Sequence, residues 1–290
     1  MDYVRLTKPR SVGLLLLTAL AGMVAVGQGF PSLTLVAATL LGGALAAGGA
    51  NALNCYLDRD LDRMMRRTAL RPLAAGRLDP RRAAAFGLLL CLLSFILLAA
   101  TVNLLSALLA AAGAFYYVVI YTIWLKRESP WNVVIGGGAG VMPLLVGSAA
   151  VTGQLSSSAL AMGAVILFWT PPHFWSLALL RQEEYAEAGI PVMPVVLGSL
   201  ETRRQIVLYS LVLVALSIML PLVGFAGAGF LAVAAVLGVL MLFLAVQLLR
   251  QGSARAAGRL YRYSILYLAL LFSTLIIDRA GGWFPLSGIF

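Results

Sequence analysis

The chain has 290 residues, of which 61% are hydrophobic and only 11% are charged, whereas a soluble domain is normally about 25% charged. This composition excludes a soluble enzyme. Continuous apolar runs of about 20 residues recur along the chain, and each can cross a hydrocarbon core of roughly 30 Å as a helix, which also excludes a β-barrel with its alternating strands. The sequence therefore predicts an all-α, polytopic membrane protein.

The net charge is +10, which in a soluble protein would suggest a nucleic-acid partner. Here every Lys and Arg except Arg279 lies before the first apolar run or in alternate loops, where positive charge sets orientation and meets anionic lipid or substrate. We therefore expect membrane lipid and no nucleic acid as partners. The positive-inside rule predicts a multi-pass protein of the inner (cytoplasmic) cell membrane with a cytoplasmic N-terminus and an external C-terminus.

We predict nine transmembrane helices that form a single domain over residues 1–290. One acidic motif falls in a cytoplasmic loop at 55–82, and a second falls in a cytoplasmic loop at 181–205. Since the second and sixth spans each lead into an acidic motif, the pattern suggests two related four-helix halves followed by one further helix. The predicted spans are 11–30, 33–54, 83–101, 104–122, 131–151, 158–180, 206–224, 228–249 and 263–282.

The second span leads into Asn54, Asp58 and Asp62, which are spaced four residues apart. On a helix these side chains form one stripe, and Asp60 points roughly the other way. The alternative is a solvated helix end whose acids pair with the neighbouring arginines, although carboxylates are unfavourable near a helix C-terminus. Two carboxylates and an amide can hold Mg²⁺, which takes its remaining oxygens from water and substrate phosphates. We predict that all three motif residues are catalytic metal ligands.

A run of arginines follows this motif. Arginine forks bind phosphate oxygens in a bidentate way, although basic residues here also satisfy the positive-inside rule. Pro72 and Gly76 at the end of the run predict a turn that folds the loop over the site as a lid. Two basic residues after the fourth span are assigned the same role. The predicted diphosphate-binding residues are Arg63, Arg66, Arg67, Arg71, Lys126 and Arg127.

The fifth span contains Gly136, Gly137, Gly138 and Gly140. Small residues in a membrane helix allow close helix packing or leave room for a flat ligand. We favour close packing.

The sixth span carries the string Trp169-Thr-Pro-Pro-His-Phe-Trp175. Tandem prolines free backbone carbonyls and kink a helix, which is tolerated where the helix lines a cavity. His173 is the only histidine in the chain. A lone histidine is usually a packed core residue, but a polar ring inside a membrane span is typical of a functional position. We predict that His173 faces the interior beside its aromatic neighbours.

The sixth span is followed by Glu183, Glu184 and Glu187. On a helix Glu187 shares a face with each of the other two. We predict that all three are ligands of a second metal or diphosphate contact and that Glu184 is catalytic, the alternative being solvated loop charge.

At these residues the chain resembles the UbiA superfamily of intramembrane prenyltransferases. The Asn54, Asp58 and Asp62 pattern, followed by Arg67-Thr68 and Arg71-Pro72-Leu73, is similar to the first aspartate-rich motif of that superfamily. Strings elsewhere resemble its heme O synthase branch, in which aspartate is usual where this chain has Glu184, a second proline is usual at Ala74, and methionine is common at Val192. These strings are Leu6-Thr-Lys-Pro-Arg10, Tyr121-Thr-Ile-Trp-Leu-Lys-Arg127, Trp169-Thr-Pro-Pro-His-Phe-Trp175 and Tyr185-Ala-Glu-Ala-Gly-Ile-Pro-Val-Met-Pro194.

The resemblance implies nine transmembrane helices around a central cavity that is capped on the cytoplasmic side. It implies a prenyltransferase with Mg²⁺ as cofactor, farnesyl diphosphate and haem B as substrates, and heme O and diphosphate as products. In that setting we expect His173, Trp169 and Trp175 to contact the haem. A haem A synthase or an oxidase-assembly factor is the protein partner that the resemblance implies.

Three other functions are compatible with parts of the pattern. One is a UbiA-type enzyme with an aromatic quinone precursor as the acceptor, against which the sixth-span string argues. Another is a membrane transporter, which needs charged residues or broken helices near the midplane, whereas the acids of this chain cluster at one interface. The third is a haem-binding assembly factor without catalysis, which would leave the first acidic motif without a purpose.

Overall fold

In the computed structural model, residues 1–27 and 29–281 are described, and they contain helices, turns and loops but no β-strand. The all-α prediction is therefore confirmed. A ten-residue π-helix at Tyr116–Leu125 joins α6 to α7. The α-helices are α1 (Asp2–Leu6), α2 (Pro9–Val26), α3 (Leu33–Leu57), α4 (Arg59–Met64), α5 (Pro80–Thr101), α6 (Leu104–Phe115), α7 (Lys126–Glu128), α8 (Asn132–Gly136), α9 (Gly138–Thr152), α10 (Ser157–Leu180), α11 (Gln182–Glu187), α12 (Met193–Val196), α13 (Gly198–Leu222), α14 (Ala228–Gln251) and α15 (Ala254–Ala280).

Within the described residues, nine helical stretches are long and apolar enough to cross a membrane. The chain is thus a multi-pass membrane protein. The fourth stretch runs continuously over Leu104–Glu128 and the fifth over Asn132–Thr152. The predicted external C-terminus lies outside the described residues.

Several predicted span edges were wrong. The first span ends at Val26 rather than at 30, the seventh begins at Gly198 rather than at 206, and the ninth begins at Ala254 rather than at 263. Polar and basic residues do not end a helix, so α13 and α15 extend beyond their apolar portions. The segments between long helices are consequently shorter than predicted, at 58–79 and 181–197.

Side-chain caps and glycines define several ends of the long helices. Asp79 accepts the Arg82 N–H at 2.8 Å, with Pro80 at the first helical position of α5. Such caps satisfy backbone donors that have no partner inside the helix. Gly153 and Gly252 end α9 and α14 in the left-handed conformation. Further side-chain N-caps are Ser32, Asn103, Ser156 and Ser253.

The long helices pack in a ring. Successive spans contact one another from α2 through α14, and α15 contacts both α14 and α2, which closes the ring. The contacts of α3 with α5 and of α5 with α6 recur in the second half as α10 with α13 and α13 with α14. The next contact in each series, α6 with α9 and α14 with α15, recurs in the same way, and α15 also contacts α10. The two four-helix groups are therefore the second to fifth and the sixth to ninth spans, so the further helix is the first span, whereas the last span was predicted.

Glycines allow the closest helix crossings. A Cβ atom built on Gly147 would overlap the Ala19 carbonyl, and one built on Gly22 would overlap the Leu144 carbonyl. Helices α2 and α9 therefore touch backbone to backbone. In the fifth span, a Cβ atom on Gly136 would overlap the ring of Tyr121, which fits the expectation that these glycines serve close packing.

The π-helix was not predicted, and it determines which residues of the fourth span face α3. Within it the Thr122 hydroxyl donates to the Tyr117 carbonyl at 2.8 Å, five residues back. Wider turns of this kind occur frequently at functional sites. Thr122 is fully buried and lies one turn before Lys126, so both side chains reach the end of α3.

A small apolar cluster joins the two acidic segments outside the helix ring. Leu61 and Met65, from the first segment, pack with Tyr185, Ile190 and Val192 from the second. The acidic motifs of the two halves are thereby held against each other at one end of the bundle.

Candidate active site

The first acidic motif lies where α3 meets α4. Asp58 is the junction residue, and the Asp58 N–H donates to the Asn54 carbonyl at 2.9 Å, while the Asp62 N–H donates to the Asp58 carbonyl at 2.8 Å. The one-turn spacing expected of a single helix therefore continues across the junction between two helices. Asn54, Asp58 and Asp62 are 3%, 1% and 4% exposed, so all three side chains point inward.

Each of these three side chains is held by a cation from a different segment. The Lys8 ammonium donates to Asn54 Oδ1 at 2.7 Å. The Lys126 ammonium donates to Asp58 Oδ2 at 2.5 Å. Arg71 donates one guanidinium nitrogen to both oxygens of Asp62, at 2.8 and 2.9 Å. Buried carboxylates need such partners, because an unpaired charge out of water is costly.

The two oxygens of Asp58 have different surroundings. Oδ2 accepts hydrogen bonds from both Lys126 and the Asn54 amide, the latter at 2.7 Å. Oδ1 is buried and has no hydrogen-bond partner among the described residues. A buried acceptor left in this way costs free energy unless it binds a ligand. The site thus contains a negatively polarised oxygen that is available to a cation.

Asp60 lies off this stripe, as predicted from its spacing. It is exposed and accepts two hydrogen bonds from Arg127, each 2.8 Å long. That hydrogen-bonded guanidinium lowers the pKa of Asp60 to about 2. Arg127 is therefore engaged with Asp60 and with the Leu57 carbonyl, a placement that differs from the predicted diphosphate contact.

The arginine-rich segment folds back over the first motif. The Thr68 hydroxyl donates to the Asp62 carbonyl at 3.1 Å, and the Arg63 side chain donates to the Ala74 carbonyl at 3.1 Å. Arg66 and Arg67 are exposed on this segment. Of the predicted arginines, Arg71 is the one whose side chain reaches a motif carboxylate.

The second acidic motif lies on α11 and is less enclosed. Glu183 and Glu187 are exposed, whereas Glu184 is half-buried. Arg181 donates to Glu184 Oε1 at 2.9 Å, and Glu184 Oε2 is buried without a partner in the part of the chain that the structure describes. Beside it, burial raises the pKa of the Tyr185 hydroxyl, with Arg67 acting in the opposite direction. Of the three glutamates, Glu184 is the one that turns toward the interior.

The donor set fits Mg²⁺, although it is not a complete protein cage. In the described part of the chain, no group of three or more His, Cys, Asp or Glu side chains is arranged to hold a metal ion. The predicted set of six ligands therefore does not form one cluster. Mg²⁺ needs few protein ligands when substrate phosphates supply the rest, and Asp58 Oδ1 and Glu184 Oε2 each provide a buried carboxylate oxygen.

His173 lies on α10, in contact with α15. Its ring is stacked between Trp169 and Tyr261, with centroid distances of 4.4 and 4.9 Å. His173 Nδ1 lies 2.8 Å from the Ser264 hydroxyl, which itself donates to the Tyr261 carbonyl at 2.7 Å. A hydroxyl has one proton, so when Ser264 donates to the Tyr261 carbonyl it accepts from Nδ1–H. In that arrangement Nε2 is left as the acceptor of the half-buried ring.

The tryptophans near His173 are enclosed by protein. The Trp169 indole donates to the Ser264 carbonyl at 2.7 Å. Trp175 is 1% exposed and packs edge-on against Trp131 and Tyr209. In this arrangement Trp175 has no accessible face for a flat ligand, in contrast to the predicted haem contact, and α10 continues without interruption through the two prolines.

Sequence reasoning missed four residues that complete these networks: Lys8, Thr122, Tyr261 and Ser264. Lys8 and Thr122 both stood in recognised strings, which was the available signal. Nothing in the spacing of Tyr261 and Ser264 indicated a contact, because their partner His173 is distant in sequence.

A family model described as "UbiA prenyltransferase family" matches residues 15–277 of the chain. A protoheme IX farnesyltransferase of Roseiflexus castenholzii is 53% identical over 96% of this chain and 52% of its own length. One of Symbiobacterium thermophilum is 50% identical over 96% of this chain and 93% of its own length. The chain thus spans about half the length of the first of these relatives.

Solved structures show the same fold. A digeranylgeranylglyceryl phosphate synthase superposes with a TM-score of 0.80 at 16% identity, covering 97% of this chain and 98% of that chain. A UbiA homolog from Archaeoglobus fulgidus bound to GPP and Mg²⁺ superposes with a TM-score of 0.69 at 20% identity, covering 95% of this chain and 99% of that chain.

Proposed function

The chain belongs to the UbiA prenyltransferase family, and from that premise we propose that it transfers the farnesyl group of farnesyl diphosphate to a vinyl group of haem B. Relatives that are about half identical to it are protoheme IX farnesyltransferases. The observation that carries the proposal is the presence of two buried, unpartnered carboxylate oxygens, one on Asp58 and one on Glu184. Each belongs to one of the two acidic motifs, and basic side chains surround both.

Asp58, Asp62 and Glu184 would hold Mg²⁺ together with the diphosphate of the substrate, without forming one cluster by themselves. Asn54, whose amide oxygen accepts from Lys8, would orient Asp58 rather than bind the ion. Bound Mg²⁺ neutralises the charge that develops on the diphosphate as the allylic C–O bond breaks. Arg71 and Lys126 already lie against these acids, so they add fixed positive charge where the leaving group forms. Exposed Arg66 and Arg67 supply further phosphate contacts from the folded-back segment.

The acceptor end of the reaction lies deeper, between the helices. The apolar interior excludes water from the farnesyl cation until it meets its acceptor. The haem vinyl group forms the new C–C bond with the allylic carbon, and diphosphate leaves. Water then adds to the resulting cation and releases a proton, which gives the hydroxyethylfarnesyl side chain of heme O.

We place the haem beside His173. The tautomer set by Ser264 leaves Nε2 as an acceptor, so the ring is suited to binding the haem iron rather than to donating a hydrogen bond. His173→Ala is expected to weaken haem binding and to shift the Soret band in an absorption titration. An unchanged Soret band and affinity would exclude iron ligation.

We propose that the protein lies in the inner (cytoplasmic) membrane of the cell, with its N-terminus and both acidic motifs facing the cytoplasm. The proposed protein partner is the haem A synthase or oxidase-assembly factor that receives the product. Labelling of a cysteine placed at position 66 from the outside of intact cells would contradict this orientation.

A product assay tests the reaction. The purified protein in lipid nanodiscs, given haem B, farnesyl diphosphate and Mg²⁺, is expected to yield heme O by mass spectrometry, and EDTA is expected to stop the reaction. Prenylation of an aromatic acid without heme O would favour the quinone-precursor enzymes. Movement of farnesyl diphosphate across a vesicle membrane without turnover would favour a transporter.

A further inference from the structure

The backbone of Lys8 is unusual. This residue connects α1 to α2 with φ 51° and ψ 57°, and it is the only residue other than glycine with a positive φ in the described ranges. The left-handed conformation is strained for any residue that carries a Cβ atom, whereas glycine adopts it readily. Contacts of Lys8 and its neighbours must therefore offset this strain.

The left-handed turn directs the lysine side chain toward the first acidic motif. Lys8 Nζ donates to Asn54 Oδ1 at 2.7 Å. One turn earlier on α3, Asn51 donates to the Thr7 carbonyl at 3.1 Å. Two adjacent turns of α3 therefore fasten the junction between α1 and α2, and the ammonium is delivered to a single amide oxygen.

That contact sets which way the Asn54 amide faces. An ammonium group only donates, so the amide oxygen must face Lys8 and the amide nitrogen must face the other side. There the nitrogen donates to Asp58 Oδ2 at 2.7 Å and to the Thr122 hydroxyl at 3.0 Å. The Thr122 hydroxyl donates its proton to the Tyr117 carbonyl, so toward Asn54 it acts as an acceptor.

The orientation of Asn54 in turn determines which oxygen of Asp58 is available. Asn54 and Lys126 both donate to Oδ2, and Oδ1 is left buried with no partner within residues 1–27 and 29–281. We propose that Lys8 is a positioning residue for Asp58: by fixing the amide of Asn54, it keeps Oδ1 turned toward a divalent cation and its diphosphate. This inference rests on the proposed function of the same site. Lys8 acts through Asn54 and does not itself contact the substrate.

Metal binding without haem tests the inference. Mn²⁺ serves as the probe, and its affinity for the protein in nanodiscs is measured by electron paramagnetic resonance with and without the unreactive farnesyl thiodiphosphate. Lys8→Met and Lys8→Gly are each expected to weaken Mn²⁺ binding about tenfold, the size of one hydrogen bond to a charged group. Arg5→Met is the matched control, because Arg5 is an exposed cation on α1 that pairs with Asp2, and it is expected to change nothing.

Thermal unfolding of the same variants separates positioning from simple structural support. Lys8→Gly removes the backbone strain, so it is expected to unfold at the same or a higher temperature while its Mn²⁺ affinity falls. A merely structural role would lower stability and leave affinity unchanged in the folded protein. Undiminished Mn²⁺ affinity in Lys8→Gly therefore overturns the inference, as does a complete absence of Mn²⁺ binding by the unsubstituted protein.

A double variant distinguishes action through Asn54 from direct contact with the ligand. Residues that act in one chain of contacts give non-additive effects. The double variant Lys8→Met, Asn54→Ala is therefore expected to bind Mn²⁺ no more weakly than Asn54→Ala alone. Effects that multiply would show that Lys8 contacts the ligand itself and would overturn the positioning role. Because haem is omitted, a negative heme O assay leaves this result intact.

Discussion

The two acidic motifs hold their carboxylates in different ways. Asp58 and Asp62 are buried, and their partners Lys126 and Arg71 come from other segments. Glu184 is half-buried and pairs with Arg181, three residues earlier on the same turn. The first motif is therefore positioned by the tertiary fold and the second mainly by its own helix.

This difference has a chemical meaning. A carboxylate held by several distant groups is preorganised, and small displacements of it are costly to catalysis. A carboxylate on a short exposed helix can adjust to its ligand. The extra methylene of Glu184, where aspartate is usual in the branch that the chain resembles, falls in the motif whose surroundings can accommodate it.

The largest expected effect is at Asp58. Asp58→Ala removes the unpartnered oxygen and leaves Lys126 without its counter-ion, so transition-state stabilisation is expected to fall by at least about 3 kcal/mol, or roughly a hundredfold in rate. The measurement is heme O formation by protein that still inserts into membranes. Asp60→Ala is the matched control. An equal loss of rate in that variant would contradict the distinction between the buried residues of the first motif and the exposed Asp60.

A smaller effect is expected at Arg71. Arg71→Ala frees Asp62 and removes the proposed phosphate contact, and farnesyl diphosphate affinity is expected to fall about tenfold. Arg71→Lys should restore little, because an ammonium lacks the planar fork of a guanidinium. Equilibrium binding of farnesyl thiodiphosphate provides the measurement. Full rescue by lysine would reduce the role of Arg71 to charge alone.

Exchanging the carboxylate lengths sharpens the comparison directly. Glu184→Asp is expected to change the turnover rate by no more than about threefold, whereas Asp58→Glu forces an additional methylene into a closely packed position and is expected to cost about tenfold or more. Steady-state rates of both variants, with Glu187→Asp as an exposed control, give the test. Similar losses in Glu184→Asp and Asp58→Glu would mean that both motifs are equally rigid.

The smallest effect is expected at Asp60. Its folded-state pKa lies below its ordinary value, at about 2, so the pair with Arg127 contributes stability above about pH 4 and loses it as the pH falls toward 2. Both side chains are exposed, at 58% and 39%, which limits the contribution because solvent screens the pair. Asp60→Asn should therefore leave thermal stability at pH 7 nearly unchanged. A large destabilisation at that pH would contradict this.

Local sequence determined the membrane fold and the identity of the first motif. Apolar runs predict helices because every backbone polar group in lipid must form its hydrogen bond within the segment. The four-residue spacing of Asn54, Asp58 and Asp62 survived the interruption of the helix at Asp58, because the backbone hydrogen bonds continue across it. The opposite placement of Asp60 followed from the same periodicity.

Tertiary structure decided the partners of these residues. Lys8 reaches Asn54 across 46 positions and Lys126 reaches Asp58 across 68. The helical period of a sequence cannot predict contacts at such separations. The π-helix that aims Thr122 and the hydroxyl that sets the tautomer of His173 likewise depend on contacts between helices. Periodicity assigns a residue to a face of its helix, but only packing determines which group that face meets and which carboxylate oxygen remains available for a ligand.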